Sequence, residues 1–327
     1  MSTPATIGII VGRDLIGDAL IKLPFLRALR NAYPQARIAW ITSQDTTAYN
    51  SLLREATTHL IDVIYEVPEW LRTGSAVAAP SFDLLIDTRN KWKLAAETRR
   101  LVPHQIFIAM AMRYLFSDKH PPFFAPKPKH IVDRLLQMVD LAAGYRPPSL
   151  GSLPVPDELL QKAREILPEG QTYVGFAPGA GNAVKIWPRY KFEKVAVSQA
   201  SKGRVPVFLL GPQELGWYDV LAAAVPNAKF PLQDYHIWGT AQLTVAHTLA
   251  VAKCLDVAVA NDSGVGNMLG AMDCRLISLF GPTSAEKLAP RVSRGKTIRA
   301  QDFGGSSAMK AILWESVDAA VDEMLAL

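Results

Sequence analysis

Cysteine is nearly absent. Cys254 and Cys274 are the two in 327 residues, too few for a stapled scaffold or a four-thiolate metal ribbon. Each sits beside apolar residues near an expected strand, as a buried thiol in a reducing compartment does. No apolar run reaches the ~18 residues that would span a bilayer. Met1 to Gly12 has only Ile7 to Val11 as an apolar stretch, with no basic region before it, so a strand is expected there rather than a secretory signal. The expected location is the cytosol. No run of consecutive Lys or Arg exceeds two, so there is no polybasic tail and nucleic acid is not an expected partner. Gly-x-Ser-x-Gly, His-Glu-x-x-His and Gly-x-Gly-x-x-Gly after the first strand are also missing, which sets aside an α/β-hydrolase, a zincin and a simple nicotinamide dehydrogenase. The six histidines are scattered, and His247 is expected to be packed or at the surface rather than a metal ligand.

What the chain does contain is enough apolar material for two cores. Hydrophobic residues make up 49% and charged residues 20%, a balance that excludes a disordered tail. The net charge of +5 lies wholly in the first half: 18 Lys and Arg against 13 Asp and Glu up to Leu150, and 17 against 17 after it. Such a bias suits an anionic partner, such as a phosphorylated sugar, an acidic lipid surface or nucleic acid, the last being the one not expected here, and equally an ordinary solvated face.

Apolar runs alternate with helical stretches along the whole length, the pattern of parallel sheets covered by helices. The expected strands are Ile7 to Val11, Arg37 to Thr42, Asp62 to Val67 and Phe82 to Asp87, then Tyr173 to Ala177, Val205 to Leu210, Leu255 to Ala260, Arg275 to Phe280 and Lys296 to Ala300. Helices are expected over Arg189 to Ser201 and Leu243 to Ala252, with a closing amphipathic helix from Trp314. Pro147, Pro148, Pro154 and Pro156, with Gly144 and Gly151, mark a linker near residue 150. Two doubly wound domains follow, residues 1–150 and 151–327, with ligands expected at the carboxyl ends of the strands.

Three strand-to-helix turns could carry chemistry. Gly12 to Leu20 follows the first strand, and Asp18 there either accepts a proton or caps the helix that carries Leu20, Leu23, Leu26 and Leu29. Pro24 either kinks that helix or marks its start. Phe176 to Pro188, with Gly179, Gly181 and Lys185, offers backbone amides and a mobile cation suited to phosphate, but it is not a Walker loop. The competing reading is a flexible turn with a solvent-facing lysine. Val259 to Ala271, with Asp262, Ser263 and Gly264, is either a diphosphate cradle at a helix N-terminus or a plain cap in which glycines permit close packing. Phe280 to Thr283 would form the adjacent wall. Outside these turns, Ile106 to Met112 is flanked by Arg99, Arg100, His104, Arg113 and Lys119. A buried core helix is the preferred reading there, and docking to an anionic lipid is the other.

Together these segments resemble the ADP-heptose lipopolysaccharide heptosyltransferases, glycosyltransferase family nine. The resemblance rests on Ile16 to Pro24 with Leu26 to Arg30 and Tyr33-Pro34, on Phe82 to Asp87, on Ala177 to Ala180 with Lys185 to Pro188, on Asn261 to Gly264, and on Leu279 to Thr283. It implies a GT-B architecture: two Rossmann-like domains facing a central cleft, the first binding the acceptor and the second the nucleotide sugar, with the final helix (about 314–327) packing back toward the first domain. It also implies an inverting, metal-independent transfer, most plausibly of heptose from ADP-heptose onto a lipopolysaccharide core or related glycan, with no cofactor. Asp18 would be the general base. Lys185, Asp262, Ser263, Gly264, Asn267, Gly179 and Gly181 would bind the donor, and Arg13, Gly17, Arg89 and Lys91 would lie on the acceptor side. Asn267 stands where the family usually has a histidine, and can donate a hydrogen bond but carries no charge. Peripheral contact with the cytoplasmic face of the inner membrane belongs to the same implication. The alternatives are a nucleotide-sugar hydrolase or epimerase of the same fold, and a catalytically silent binding protein.

Overall fold

The computed structural model describes residues 3–74, 79–122 and 124–326. It divides into two compact units, Met1–Ser149 and Leu150–Leu327. The break falls inside the proline-rich linker, whose trailing end is tied to the second unit: Ser152 Oγ donates to the Met272 carbonyl at 3.0 Å and Leu153 N to the Ala271 carbonyl at 3.2 Å.

The first unit is built on five parallel strands in the order β3-β2-β1-β4-β5. They are β1 Thr6–Val11, β2 Arg37–Thr42, β3 Val63–Glu66, β4 Phe82–Asp87 and β5 His104–Ala109. The central strands are continuous apolar runs because both faces are covered: Ile7, Ile9, Ile10, Ile38, Trp40 and Ile41 are fully buried. Helix Ile16–Ala32 follows β1 and buries Ala19, Leu20, Leu23, Leu26 and Leu29. It begins at Ile16 and passes through Pro24, so the proline does not mark its start. The Ile106 to Met112 run is no helix. Its first four residues belong to β5, in register with β4 through Ile106↔Leu84 and Ile108↔Ile86.

The second unit carries five more parallel strands in the order β10-β9-β8-β6-β7. They are β6 Tyr173–Ala177, β7 Val205–Phe208, β8 Val257–Asn261, β9 Leu276–Phe280 and β10 Gly295–Arg299. Its core joins Phe176, Trp187, Phe192 and Phe208 to Val259 and Leu279. In the closing helix, Trp314–Ala326, Val317, Ala320, Val321 and Met324 complete the second unit's core, against helix Arg189–Ser201 and strands β8 and β9. Asp318 and Asp322 fasten it there through Lys202, Gln199 and Arg204. Leu327 lies outside the described residues.

Strands β1 and β6 each carry one glycine under a large neighbour. A Cβ on Gly8 would stand 2.9 Å from the Phe82 and Leu85 side chains, and one on Gly175 would stand 2.5 Å from Leu255. The two sheets use the same device to seat a side chain over an interior strand.

Candidate functional site

In an open parallel sheet the ligand crevice forms where neighbouring strands send their connections to opposite faces, beyond their carboxyl ends. That point is β1/β4 in the first unit and β6/β8 in the second. The candidate residues lie in the turns that leave these four strands.

In the first unit, the turn after β1 is anchored by a residue whose burial was not foreseen. Asp14 is fully buried and accepts hydrogen bonds from Lys22 Nζ at 2.5 Å, Trp40 Nε1 at 2.9 Å and Thr47 Oγ1 at 2.7 Å. A buried carboxylate is tolerated only when paired and saturated in this way. The effect is to pin the turn and the start of the next helix to β2. Asp18 then stands exposed in the first helical turn, with no hydrogen bond or ion pair among the described residues. It is not the cap, since Leu15 occupies that position without a side-chain bond. Lys22 lies four residues on, the spacing that puts two side chains on one helix face, but its ammonium is bonded to Asp14.

The other acceptor-side candidates separate. Gly17 is the second residue of the same helix, Arg13 is exposed and lies 3.5 Å from Asp45, and Lys91 is exposed at the start of helix Trp92–Leu101. The Arg89 guanidinium is buried, bidentate to Asp87 at 2.9 and 2.7 Å and bonded to Thr98 Oγ1 at 2.6 Å. The pair closes the end of β4.

In the second unit, the turns after β6, β8 and β9 meet. Lys185 Nζ lies 2.7 Å from Asp262 Oδ2, and the Thr283 hydroxyl donates to the same oxygen at 2.7 Å. The ammonium has three protons and spends one here. Asn261, 1% exposed, staples the glycine-rich turn at both ends: its Nδ2 donates to the Pro178 carbonyl at 2.7 Å and its Oδ1 accepts from Trp187 N at 3.2 Å. The Ser263 hydroxyl caps helix Gly264–Ala271 by accepting from Gly266 N at 3.1 Å. The Gly264 and Val265 amides have no partner among the described residues, nor do those of Gly179 and Gly181. Asn267 follows one turn along, half-buried. Ser263 is thus a cap, and the Gly264 and Val265 amides are left without a partner among the described residues.

One further group was missed by sequence reasoning. Glu214, in the turn after β7, is buried with its carboxyl under the glycine-rich turn. A Cβ on Gly179 would stand 2.6 Å from that carboxyl group, and one on Gly211 would stand 2.9 Å from its Oε2. Burial pushes the Glu214 carboxyl above the usual carboxylate range, opposed by the Gly211 and Glu214 amides. His247 is packed, edge-on to Trp238 at 4.9 Å, and its Nδ1 accepts from Thr244 N at 3.0 Å. No helix among the described residues is long and apolar enough to cross a membrane.

The sequence model of glycosyltransferase family 9 (heptosyltransferase) matches residues 70–311. Lipopolysaccharide heptosyltransferase 2 of Salmonella typhimurium is 24% identical over 89% of this chain and 87% of its own length. Lipopolysaccharide heptosyltransferase 1 of Pseudomonas aeruginosa is 24% identical over 84% and 79%. Among solved structures, a family 9 glycosyltransferase from Veillonella parvula superposes with a TM-score of 0.71 at 18% identity, covering 98% of this chain and 97% of that one. The Escherichia coli heptosyltransferase WaaC with ADP gives 0.68 at 18%, covering 98% and 99%. The two Rossmann-like units are thus those of the GT-B fold.

Proposed function

The chain belongs to glycosyltransferase family 9, the heptosyltransferases, and from that premise we propose that this glycosyltransferase moves heptose from ADP-heptose to a lipopolysaccharide core or related glycan, inverting the anomeric centre. The first unit binds the acceptor and the second the donor. The acceptor hydroxyl attacks the anomeric carbon, the carbon–oxygen bond to the diphosphate breaks, and Asp18 takes the hydroxyl proton. ADP leaves with the bonding electrons.

The observation that carries this reading is the Lys185–Asp262–Thr283 cluster beside the unpartnered Gly264 and Val265 amides. A departing diphosphate gains charge, and cations or amides fixed in advance stabilise it without reorganising. Asp262 orients Lys185 rather than touching phosphate, since a carboxylate has no proton to donate. Asn267 donates to a phosphate oxygen without adding charge. Glu214 lies beyond the second strand of its unit, where an acidic side chain accepts from ribose hydroxyls in doubly wound nucleotide sites. WaaC was solved with ADP and with an ADP-fluoroheptose, which supports the same nucleotide here.

A carboxylate is a weak base toward an alcohol, so it acts only when close to the hydroxyl and as the new bond forms. Asp18→Ala is expected to lower transfer by ~10²-fold or more and leave ADP affinity within about twofold, measured by product formation and by calorimetry. Normal turnover in that variant would remove Asp18 from the mechanism. Products formed from the donor with and without acceptor separate transfer from hydrolysis, epimerisation and no reaction. Melting with ADP, GDP or UDP identifies the base, because a ligand bound only by the folded state raises Tm.

A further inference from the structure

Helix Val245–Ala252 of the second unit opens with a capping box of unusual composition. In such a box the N-cap Ser or Thr is paired with a Glu or Gln three residues on, whose side chain accepts from the N-cap amide. Here Thr244 is the N-cap and His247 takes the third position. Its Nδ1 stands 3.0 Å from the Thr244 amide and 3.0 Å from the Thr244 hydroxyl. An amide nitrogen only donates, so Nδ1 carries no proton and the ring is neutral. A box closed by Gln is indifferent to pH, whereas one closed by an imidazole is not.

The same ring holds the other end of the segment that leads into the helix. Trp238 meets it edge-on, with centroids 4.9 Å apart and planes at 77°, and the Trp238 Nε1 donates to the Pro231 carbonyl at 2.6 Å. Residues 239–243 lie between these two holds, with Gly239, Ala241 and Gln242 exposed. The bond from Gln242 N to Thr240 Oγ1, 3.0 Å, is internal to the segment. Upstream, Lys229 pairs in parallel with Val207 of β7, so the chain rises beside that strand. Residues 231–244 therefore lie toward the carboxyl ends of the sheet, and helix Val245–Ala252 returns from there to the start of β8. Lys185 and Asp262 belong to turns at that same end.

The surroundings disfavour a charged ring. His247 is 7% exposed. Helix Asp157–Ile166 brings Lys162 beside it, donating to the Trp238 carbonyl at 3.2 Å and paired with Glu158 at 3.0 Å. Two further elements packed on the helix, Gly264–Ala271 and Pro231–Gln233, carry no charged residue, and His236, beside Trp238 on its short helix, is exposed. The first-turn amides of the helix add partial positive charge. Burial pushes the imidazole below its ordinary value, Lys162 adds to the shift, and the Thr244 backbone opposes it.

We propose that His247 is an acid-released clasp: with a neutral ring it holds residues 239–243 at the rim of the second unit's crevice, and on taking a proton it lets them go. Protonated Nδ1 can donate to the Thr244 hydroxyl, but the Thr244 amide then loses its acceptor and a second cation stands beside Lys162. The clasp does not depend on the transferase reading, and neither donor nor acceptor enters its test.

The test is amide hydrogen exchange from pH 7.5 to 4.5, read by mass spectrometry on peptides covering residues 239–247 and taken against the intrinsic rate at each pH. With the segment open, the histidine titrates near its ordinary value of about 6.5. The clasp is then at full strength above about pH 6.5, and as pH falls from there toward the lowered value of the closed state, the opening constant rises by up to about tenfold per unit. Protection of the segment should fall by the same factor while peptides from β6 and β8 keep theirs. His247→Gln supplies an acceptor that does not titrate, so its protection should be flat over this range, and His247→Ala should be open throughout. Flat protection in the unaltered chain, or an equal fall in His247→Gln, would overturn the proposal. If His247→Gln folds poorly, the unaltered chain still decides, because protection lost in β6 and β8 together with the segment would mean general unfolding and would also overturn it.

Discussion

Lys185 and Asp262, 77 positions apart in sequence, form an ion pair at 2.7 Å across the β6/β8 switch point. The pair is partly open to solvent, with the lysine side chain 29% exposed, so its contribution to stability is small. Its value lies in holding an ammonium at one place with two protons still to give. Lys185→Ala is expected to weaken ADP binding by roughly 10- to 100-fold, the range for one charge-assisted hydrogen bond, with Tm nearly unchanged. Titration calorimetry decides it, and an unchanged Kd would show that the lysine never reaches the diphosphate.

Gly179 is required by Glu214. Adding a methyl group at Gly179 drives it into a buried carboxyl, and overpacking of this kind costs about 1–3 kcal/mol. Gly179→Ala should therefore lower stability by that amount in the unaltered chain and by far less in a Glu214→Ala background. Denaturant melts of the four proteins give the coupling. Purely additive losses would mean that the two groups do not meet.

Asn261→Ala should remove both ends of the staple, leaving the Pro178 carbonyl and the Trp187 amide unsatisfied in the interior. Each such loss costs about 1–3 kcal/mol, so unfolding free energy should fall by roughly 2–6 kcal/mol, with weaker ADP binding because Lys185 is carried by the released turn. Asn261→Asp keeps the acceptor for Trp187 but sets a buried carboxylate oxygen against the Pro178 carbonyl, so it should lose at least as much. A loss well below that of Asn261→Ala would contradict the two-ended role.

Burial pushes the Cys274 thiol up to about 12, with Asp273 adding to the shift. At pH 8 the thiolate fraction is then roughly one in 10⁴, and the thiolate is the reactive form. Iodoacetamide should leave Cys274 unmodified in the native chain and alkylate it in urea, read by peptide mass. The folded state retains a proton that the unfolded state releases from about pH 9 upward. This stabilisation is therefore complete below pH 9 and lost as pH rises toward 12. A Cys274→Ala variant should show a flatter loss of Tm over that window.

Much of the fold could be read directly because fully buried strands are written as unbroken apolar runs. Arg37 to Thr42 and Tyr173 to Ala177 came out with their ends correct for that reason. The same property concealed β5: an apolar run without alternation looks alike in a strand and in a buried helix, and only its pairing with β4 decides. The site divided along a similar line. Lys185, Asp262 and Ser263 could be found because each belongs to a strand-to-helix turn of recognisable composition. Glu214 could not, since nothing near it in sequence announces that Gly179 will lie over it. Asp14 was visible as part of a turn, but its saturation by Trp40 and Thr47 is a product of tertiary contact. The pairing of Arg89 with Asp87 was not read either, although an acid two residues before it was the sign that the guanidinium had a partner.

Asp14 gives the exposed carboxylate at position 18 a hidden dependency. Trp40 and Thr47 sit in the interior, out of reach of any sugar, yet each supplies one of the three bonds that fix the turn on which that carboxylate rides. Changes at those interior sites that remove the bond and leave an apolar side chain, such as Trp40→Phe or Thr47→Val, would still loosen the aim of the carboxylate proposed as the base. Inactive variants of this chain should therefore include some whose lesions lie well beneath the reacting surface.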